Sequence, residues 1–252
     1  MVKFGTEKTA TQPTYERFCV EKKKRAKTTR FWTICFACVA CVVVFVLCCV
    51  LKQKKSNQVF GSKAFFVIVG KFDSLFEADS FSERVESSGG AGTVLARDSF
   101  WVVAFVYPSK KEAELVVKNL KSDSWSAAVE EISIKKPQMS NLLASQKAAI
   151  NALKSGIDVL YSNAILYETK SGSDAKIYSS IVKLKKILVR LKGNLGESDK
   201  DAMIFDAVQE LCECLNDFLK SSFSKEIYSS KLKALCVHSV VCFSEMISQI
   251  DK

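Results

Sequence analysis

The residues in this chain whose types are best suited to chemistry are ten cysteines and a single histidine. Thiolates and imidazoles are the usual ligands of zinc, and cysteines separated by two other residues are typical of such sites. The spacing Cys35-x-x-Cys38-x-x-Cys41 fits that pattern, but it lies inside a long apolar run. Uncharged cysteine behaves there as a small hydrophobic residue, because thiolates in hydrocarbon would need compensating charge. We therefore predict packing residues and no metal site.

Four further cysteines lie in the C-terminal half, around the histidine: Cys212, Cys214, Cys236 and Cys242. Residues two apart on a helix point to different sides, which disfavours zinc binding by Cys212 and Cys214 together. Free buried thiols are the first interpretation, and a disulfide between two helices is the second. His238 stands alone on a largely apolar stretch, so we predict a hydrogen-bonded core residue rather than a catalyst.

The sequence contains no pattern typical of an active site. It has no phosphate-binding loop, metalloprotease motif or nucleophile elbow. The glycine-rich stretch at residues 89–92 joins a predicted helix to a strand, which is the reverse of the order in a dinucleotide-binding fingerprint. We predict that the protein is not an enzyme and uses no cofactor.

Residues 31–51 form a run without any charge, glycine or proline. As a helix this run would be about 31 Å long, the thickness of the hydrocarbon core of a bilayer. A cleavable signal peptide would have a shorter apolar region followed by small residues, which are missing here. The run therefore predicts a transmembrane helix that stays uncleaved.

The charges on either side of this run predict its orientation. Residues 1–30 carry nine Lys or Arg against three Glu, and this basic tail adjoins the span. Seven basic residues lie between 17 and 30, against four between 52 and 63. The positive-inside rule places the N-terminus in the cytoplasm and the rest outside, as a single-pass protein of the cell membrane. Anionic lipid is the expected partner of the tail, and nucleic acid is not.

After a linker at residues 52–62, residues 63–135 predict a compact α/β domain. Runs rich in β-branched and aromatic residues alternate with helical patterns in the order β-α-β-β-α-β. This order is typical of a split βαβ arrangement, with one sheet and two helices on one of its faces.

The run FFVIVGKF at residues 65–72, followed by Ala78, resembles the SPOR domain, the sporulation-related repeat of bacterial envelope proteins. The run FWVVAFVY at residues 100–107, followed by Ala113, matches the second half of that repeat more weakly. The resemblance implies binding of peptidoglycan glycan strands at division or sporulation sites. The chain departs from the family at Ile68, where Gln is frequent, and at Phe105, where Gly is frequent.

Strand alternation predicts which side chains would meet a glycan. Val67, Val69, Val102 and Ala104 point toward the two helices. The opposite face, which we call the predicted glycan face, carries five candidates: Phe66, Ile68, Trp101, Val103 and Phe105. Aromatic rings can stack on sugars, but these strands lack polar groups for sugar hydroxyls. A sheet that is apolar on both faces is normally covered on both, so cover by the helical domain or a partner is the alternative.

Residues 138–252 have a helical rather than a strand pattern. Four amphipathic segments with short connections predict a four-helix antiparallel bundle. The segment 234–243 is apolar almost all round, which predicts the most buried helix or the one facing the sheet. Its uncharged part is too short for a second span.

The predicted fold is thus α+β: a transmembrane helix, a SPOR-like domain and a helical bundle. The predicted function is binding of peptidoglycan glycan strands by a bitopic membrane protein. The alternative is a membrane-anchored scaffold, or protein-interaction module, whose covered sheet binds no glycan. Membrane lipid and a protein partner of the helical domain are the other expected partners.

Overall fold

The computed structural model describes residues 59–221 and 223–250, apart from the side chains of Lys225 and Glu226. All of these residues belong to one compact unit. The predicted basic tail, the predicted span at residues 31–51 and most of the linker lie outside them. The described residues form a mixed α+β fold with a four-stranded antiparallel sheet and six helices, which confirms the predicted α+β class. Within the described ranges, no helix combines the length and the apolar character needed to cross a membrane.

The first part of the unit follows the predicted β-α-β-β-α-β order, which is confirmed. Its elements are β1 (Lys63–Phe72), α1 (Leu75–Ser87), β2 (Thr93–Ala96), β3 (Phe100–Tyr107), α2 (Lys110–Ser122) and β4 (Ala128–Ser133). The spatial order of the strands is β2-β3-β1-β4, so that β1 and β3 are central.

Two opposite irregularities interrupt the pairing of β1 with β3. Ala104 is an extra residue of β3 between the partners of Val67 and Ile68, and Val69 is an extra residue of β1 between Ile68 and Gly70. The second insertion restores the register that the first one shifted. Insertions of this kind bend the strand and increase its twist.

The two faces of the sheet contribute to two different hydrophobic clusters. On one face, Val67, Val69 and Val102 pack with Ala78 of α1 and Ala113 of α2. The side chains that alternate with them point the other way, toward the C-terminal helices. The sequence-based assignment of side chains to faces is confirmed.

The second part of the unit is helical. After a short 3-10 turn (Met139–Asn141), its elements are α3 (Ala144–Glu168), α4 (Asp174–Lys192), α5 (Asp199–Lys220) and α6 (Lys225–Ile250). Helix α3 contacts the other three, and α5 contacts both α4 and α6. The hydroxyls of Ser173 and Ser198 accept hydrogen bonds from the first turns of α4 and α5.

Helix α6 joins the two parts of the unit. It contacts β3, β2 and α1 on one side, and α3 and α5 on the other. Its apolar residues belong to one continuous core with those of the sheet. Of the two alternatives predicted for the helix containing residues 234–243, the most buried helix or the one facing the sheet, the second is confirmed.

Candidate functional site

Four of the five residues of the predicted glycan face are buried. Phe66, Ile68, Val103 and Phe105 are each at most 2% exposed and belong to the core shared with the C-terminal helices. Trp101 is half-buried and packs against the edge of that core. In this arrangement a glycan strand can reach only the tryptophan.

Aromatic packing and an ion pair cover this face. The ring of Phe105 stacks on Tyr161 of α3 at 5.7 Å, with an angle of 3° between the ring planes. The ammonium of Lys233 in α6 lies 5.6 Å from the centre of the Phe105 ring and pairs with Glu168 of α3. Both the apolar and the charged side chains of α3 and α6 thus hold the helices on the sheet.

Trp101 lies opposite Lys71 where β1 and β3 pair. The Lys71 ammonium is 4.2 Å from the centre of the indole ring and 2.8 Å from Oε1 of Glu130. The indole Nε1 donates a hydrogen bond of 3.1 Å to Oγ of Ser99. Polar groups therefore surround this ring, although they come from residues that the sequence interpretation did not select.

The cysteines near His238 are free thiols in the described part of the chain: Cys212, Cys214, Cys236 and Cys242. Nε2 of His238 lies 3.0 Å from Oε1 of Glu210, but it is not aligned for a hydrogen bond. The other carboxylate oxygen of Glu210 accepts a contact of 3.3 Å from Sγ of Cys242. Among the described side chains, no group of three or more potential ligands is arranged to hold a metal ion.

A groove that combines apolar and basic residues lies between α4 and α5. We call it the α4–α5 groove; its volume is about 540 Å³. It is lined by Tyr178, Val182, Lys185, Lys186, Val189, Arg190, Asn216, Leu219 and Lys220. The α4 residues recur every three or four positions, so that they share one side of the helix.

Two apolar residues of this groove are exposed, and Val182 and Leu219 are half-buried. Tyr178 is 49% and Val189 48% exposed, and the neighbouring Ile187 is 51% exposed. The core of α4 is formed by other residues, among them Ile181 and Leu188, which are fully buried. The groove residues are therefore additional apolar surface that packing against α3 and α5 does not use.

Helix α4 is also strongly basic. It carries six Lys or Arg residues against a single Asp. Lys185 donates a hydrogen bond of 2.7 Å to Oδ1 of Asn216, and Lys192 one of 2.6 Å to Oε1 of Gln209. In the part of the chain that the structure describes, no ion pair joins a basic side chain of α4 to a carboxylate. The positive charge of this helix is thus not neutralised within the fold.

The sequence analysis did not select these groove residues. The usable signal was in α4, where Tyr178, Ile187 and Val189 lie outside the buried helical stripe and among basic residues. An apolar residue outside the stripe becomes informative only when it is known which neighbouring helix leaves it uncovered.

Comparison of the chain with models of protein families, with curated proteins and with solved structures gives no match.

Proposed function

We propose that this protein is a membrane-anchored protein-interaction module, and that its α4–α5 groove binds an acidic, amphipathic segment of a partner protein. The observation that carries the proposal is the exposure of Tyr178 and Val189 in the groove, among basic side chains of α4 that have no ion pair with a carboxylate of the described residues. The anchor is the span predicted at residues 31–51. The SPOR resemblance at residues 63–135 favours a bacterial envelope protein.

Groove shape and charge together support a segment with helical character. An amphipathic helix places its apolar side in a groove, with anchoring residues three and four positions apart. Acidic residues beside those anchors would meet Lys186 and Arg190, both exposed on α4. Complementary charge of this kind raises association rates and selects the partner. A flat membrane surface would fit a concave groove less well.

The test uses the full-length chain in detergent and a fluorescent acidic amphipathic helical peptide. We expect saturable binding by fluorescence anisotropy. The double variant Lys186→Glu, Arg190→Glu should weaken it at least about tenfold, since two attractive contacts become repulsive. The matched control Lys118→Glu, Lys121→Glu changes the same charge on exposed positions of α2 and should bind normally. A scrambled peptide of equal charge should bind weakly.

Vesicles of neutral and of anionic phospholipid test the opposing interpretation, in which the groove contacts lipid. If the groove variant loses vesicle binding while the peptide never binds, the groove contacts lipid and the proposal is wrong. The proposal is also wrong if the scrambled and amphipathic peptides bind equally, since the exposed apolar residues of the groove would then contribute nothing.

Peptidoglycan binding is the second candidate, on one observation: Trp101 is half-buried and has Lys71, Glu130 and Ser99 around it. A sugar ring would have to displace Lys71 from the indole. Sedimentation of the full-length chain with purified sacculi, and its loss in Trp101→Ala, would favour this candidate. Sedimentation that persists in Trp101→Ala, or none at all, would count against it.

A further inference from the structure

A pocket lies where the segment that follows β4 meets the first half of α3. We call it the β4–α3 pocket; its volume is about 290 Å³, close to the lower end of the range of ~300 to 1,000 Å³ that is typical of small-molecule sites. Gly61, just before β1, and Phe243 of α6 also belong to its lining. Four separate parts of the chain therefore meet at this pocket.

The charged side chains of the lining are all basic. They are Lys135 and Lys136, in the segment after β4, and Lys154 of α3, and the lining contains no Asp or Glu. Lys135 and Lys136 are exposed and Lys154 is half-buried, so a ligand in the pocket can contact all three side chains. No carboxylate of the described residues forms an ion pair with Lys135 or Lys136.

One carboxylate lies beside this lining, one helical turn beyond Lys154. Asp158 accepts hydrogen bonds of 3.1 and 3.3 Å from the backbone amides of Val59 and Phe60. Burial raises the pKa of its carboxyl, whereas those two amides, and then the ammonium of Lys154, act in the opposite direction. Asp158 offsets part of the charge of Lys154 alone, so the pocket keeps an excess of positive charge and favours an anion.

The basic groups are lysines, which bears on the kind of anion. The planar guanidinium of arginine matches a carboxylate with two parallel hydrogen bonds, whereas the lysine ammonium acts as a point charge and is a common ligand of phosphate. Three ammoniums from two segments can contact different oxygens of one phosphate group. Pro137 and Met139, both half-buried in the lining, offer apolar contact to the organic group that carries the phosphate.

We propose that the β4–α3 pocket binds the phosphate group of a small phosphate ester. Lys135, Lys136 and Lys154 contact the phosphate oxygens, and Pro137 and Met139 contact the organic group. This site is separate from the α4–α5 groove and does not depend on a protein partner.

Two sources can supply this phosphate, a soluble ester and the headgroup of a membrane lipid. The predicted span ends at residue 51, ten residues before Gly61 of the lining. Ten residues extend over at most about 35 Å, so the pocket stays near the bilayer surface. The lipid source rests on the membrane anchor of the proposed function, whereas the soluble source does not, and the two are therefore tested separately.

Glycerol 1-phosphate is the soluble probe, applied to the full-length chain in detergent. Calorimetric titration should show saturable binding at one site. Glycerate, which carries a carboxylate in place of the phosphate, should bind at least about tenfold more weakly, because it has one charge less and fewer acceptor oxygens. At about ten times its dissociation constant, the phosphate ester should slow the acetylation of the three pocket lysines by acetic anhydride about tenfold, since only the unoccupied site reacts. Peptide mass spectrometry measures these rates, and Lys118 and Lys121, exposed on α2, should react as before.

The lipid source is tested by the same acetylation of the full-length chain in phosphatidylcholine nanodiscs. Phosphatidic acid carries the same phosphate monoester and should slow the reaction of the pocket lysines, while oleate at equal charge should not. Protection by phosphatidic acid supports the proposal with a lipid headgroup as the ligand. Protection by glycerol 1-phosphate alone supports it with a soluble ester.

A double variant assigns the binding to the pocket. Lys135→Gln, Lys136→Gln should weaken the binding of the protecting phosphate at least about tenfold, because two charge-assisted contacts are lost. The matched control Lys118→Gln, Lys121→Gln removes the same charge from α2 and should bind normally. The pocket variant should still bind the acidic peptide of the α4–α5 groove, so that failure of one proposal is distinct from failure of the other.

The proposal is overturned if neither phosphate protects the pocket lysines, or if glycerate and oleate protect them equally well. It is also overturned if Lys118 and Lys121 are protected to the same extent, or if the pocket variant binds like the unchanged chain. Should that variant fail to fold, the acetylation rates of the unchanged chain decide the question by themselves.

Discussion

Nζ of Lys233 in α6 donates a hydrogen bond of 2.7 Å to the carbonyl oxygen of Gly89, in the turn that follows α1. The same ammonium pairs with Glu168 of α3, and Lys233 is only 8% exposed. One side chain therefore connects the α/β part of the unit to two of its C-terminal helices.

Replacing Lys233 by Met should lower the free energy of unfolding by about 2 kcal/mol, because the half-buried Gly89 carbonyl and the Glu168 carboxylate lose the charged partner that they share. Urea denaturation of the full-length chain in detergent measures it. Lys118→Met, at an exposed position on α2, is the control and should change stability little. Adding Glu168→Gln should recover part of the loss, and strictly additive effects would contradict the pairing.

Gly92→Ala should destabilise the fold by about 1 to 3 kcal/mol, because Gly92 has a left-handed φ of +64°. An added Cβ would also contact the side chain of Glu86 and lie 2.7 Å from the carbonyl oxygen of Ser82. Gly61→Ala is the matched control, since nothing lies within 4 Å of its Cβ position. Thermal unfolding should separate the two variants. Equal midpoints would show that the turn before β2 tolerates other conformations.

Phe105→Ala should lower the free energy of unfolding by about 3 to 5 kcal/mol, the range for removal of a large core side chain. The residue is 2% exposed and stacked on Tyr161. Trp101→Ala, on the same face but half-buried, should cost clearly less in the same urea titration. A small loss for Phe105→Ala would mean that the helices do not cover this part of the sheet in solution.

Ser198→Ala should lower the free energy of unfolding by about 1 kcal/mol near neutral pH, as expected when the side chain that caps a helix N-terminus is removed. The Ser198 hydroxyl accepts a hydrogen bond of 3.2 Å from the amide of Asp201 and donates one to its carboxylate. The second bond lowers the pKa of Asp201 below its ordinary 3.8. The carboxylate therefore stabilises the fold above that value, and its contribution is lost as the pH falls through the lower folded pKa.

The stability difference between the unchanged chain and Ser198→Ala should accordingly shrink between about pH 5 and pH 2.5. Asp201→Asn removes the titrating group and should flatten the pH dependence of unfolding over the same interval. A constant difference across this interval would show that the hydroxyl and the carboxylate do not interact.

Alkylation of Cys242 by iodoacetamide should keep accelerating about tenfold per pH unit up to about pH 10, beyond the plateau of an ordinary thiol near 8.5. Burial, followed by the carboxylate of Glu210, raises the pKa of this thiol to about 12. Peptide mass spectrometry measures the rate at each pH, while circular dichroism checks that the fold persists. Glu210→Gln should speed the reaction, and a plateau near pH 9 would contradict the assignment.

Local sequence patterns were sufficient to predict the order of the helices and strands, and the face of the sheet to which each strand side chain points. The alternation of Phe66 and Ile68 with Val67 is a property of any strand, so it placed these residues on opposite faces without tertiary information. The starts of α4 and α5 also depend on local sequence, because Ser173 and Ser198 cap the turns that directly follow them.

The cover of the predicted glycan face could not be decided in the same way. Apolar residues such as Val103 and Phe105 are needed both by a face that binds a flat ligand and by one that packs on helices. Their burial depends on α6, which lies far along the chain from β3. The contacts of Lys233 with Gly89 and Glu168 depend equally on the final packing and leave no periodic pattern.

The α4–α5 groove was not predicted for a related reason. It depends on which side of α4 remains uncovered by the other helices, and that is fixed only by the final packing.

The position of α6 also has a consequence for biosynthesis. The sheet is translated first, and the helix that shields its second face is made only after α3, α4 and α5 have followed. A nascent chain that carries β1 to β4 thus presents Phe66 and Phe105 to chaperones until the ribosome has moved well past them. Ribosomes that stall within α5 should leave a product prone to aggregation and rapid degradation.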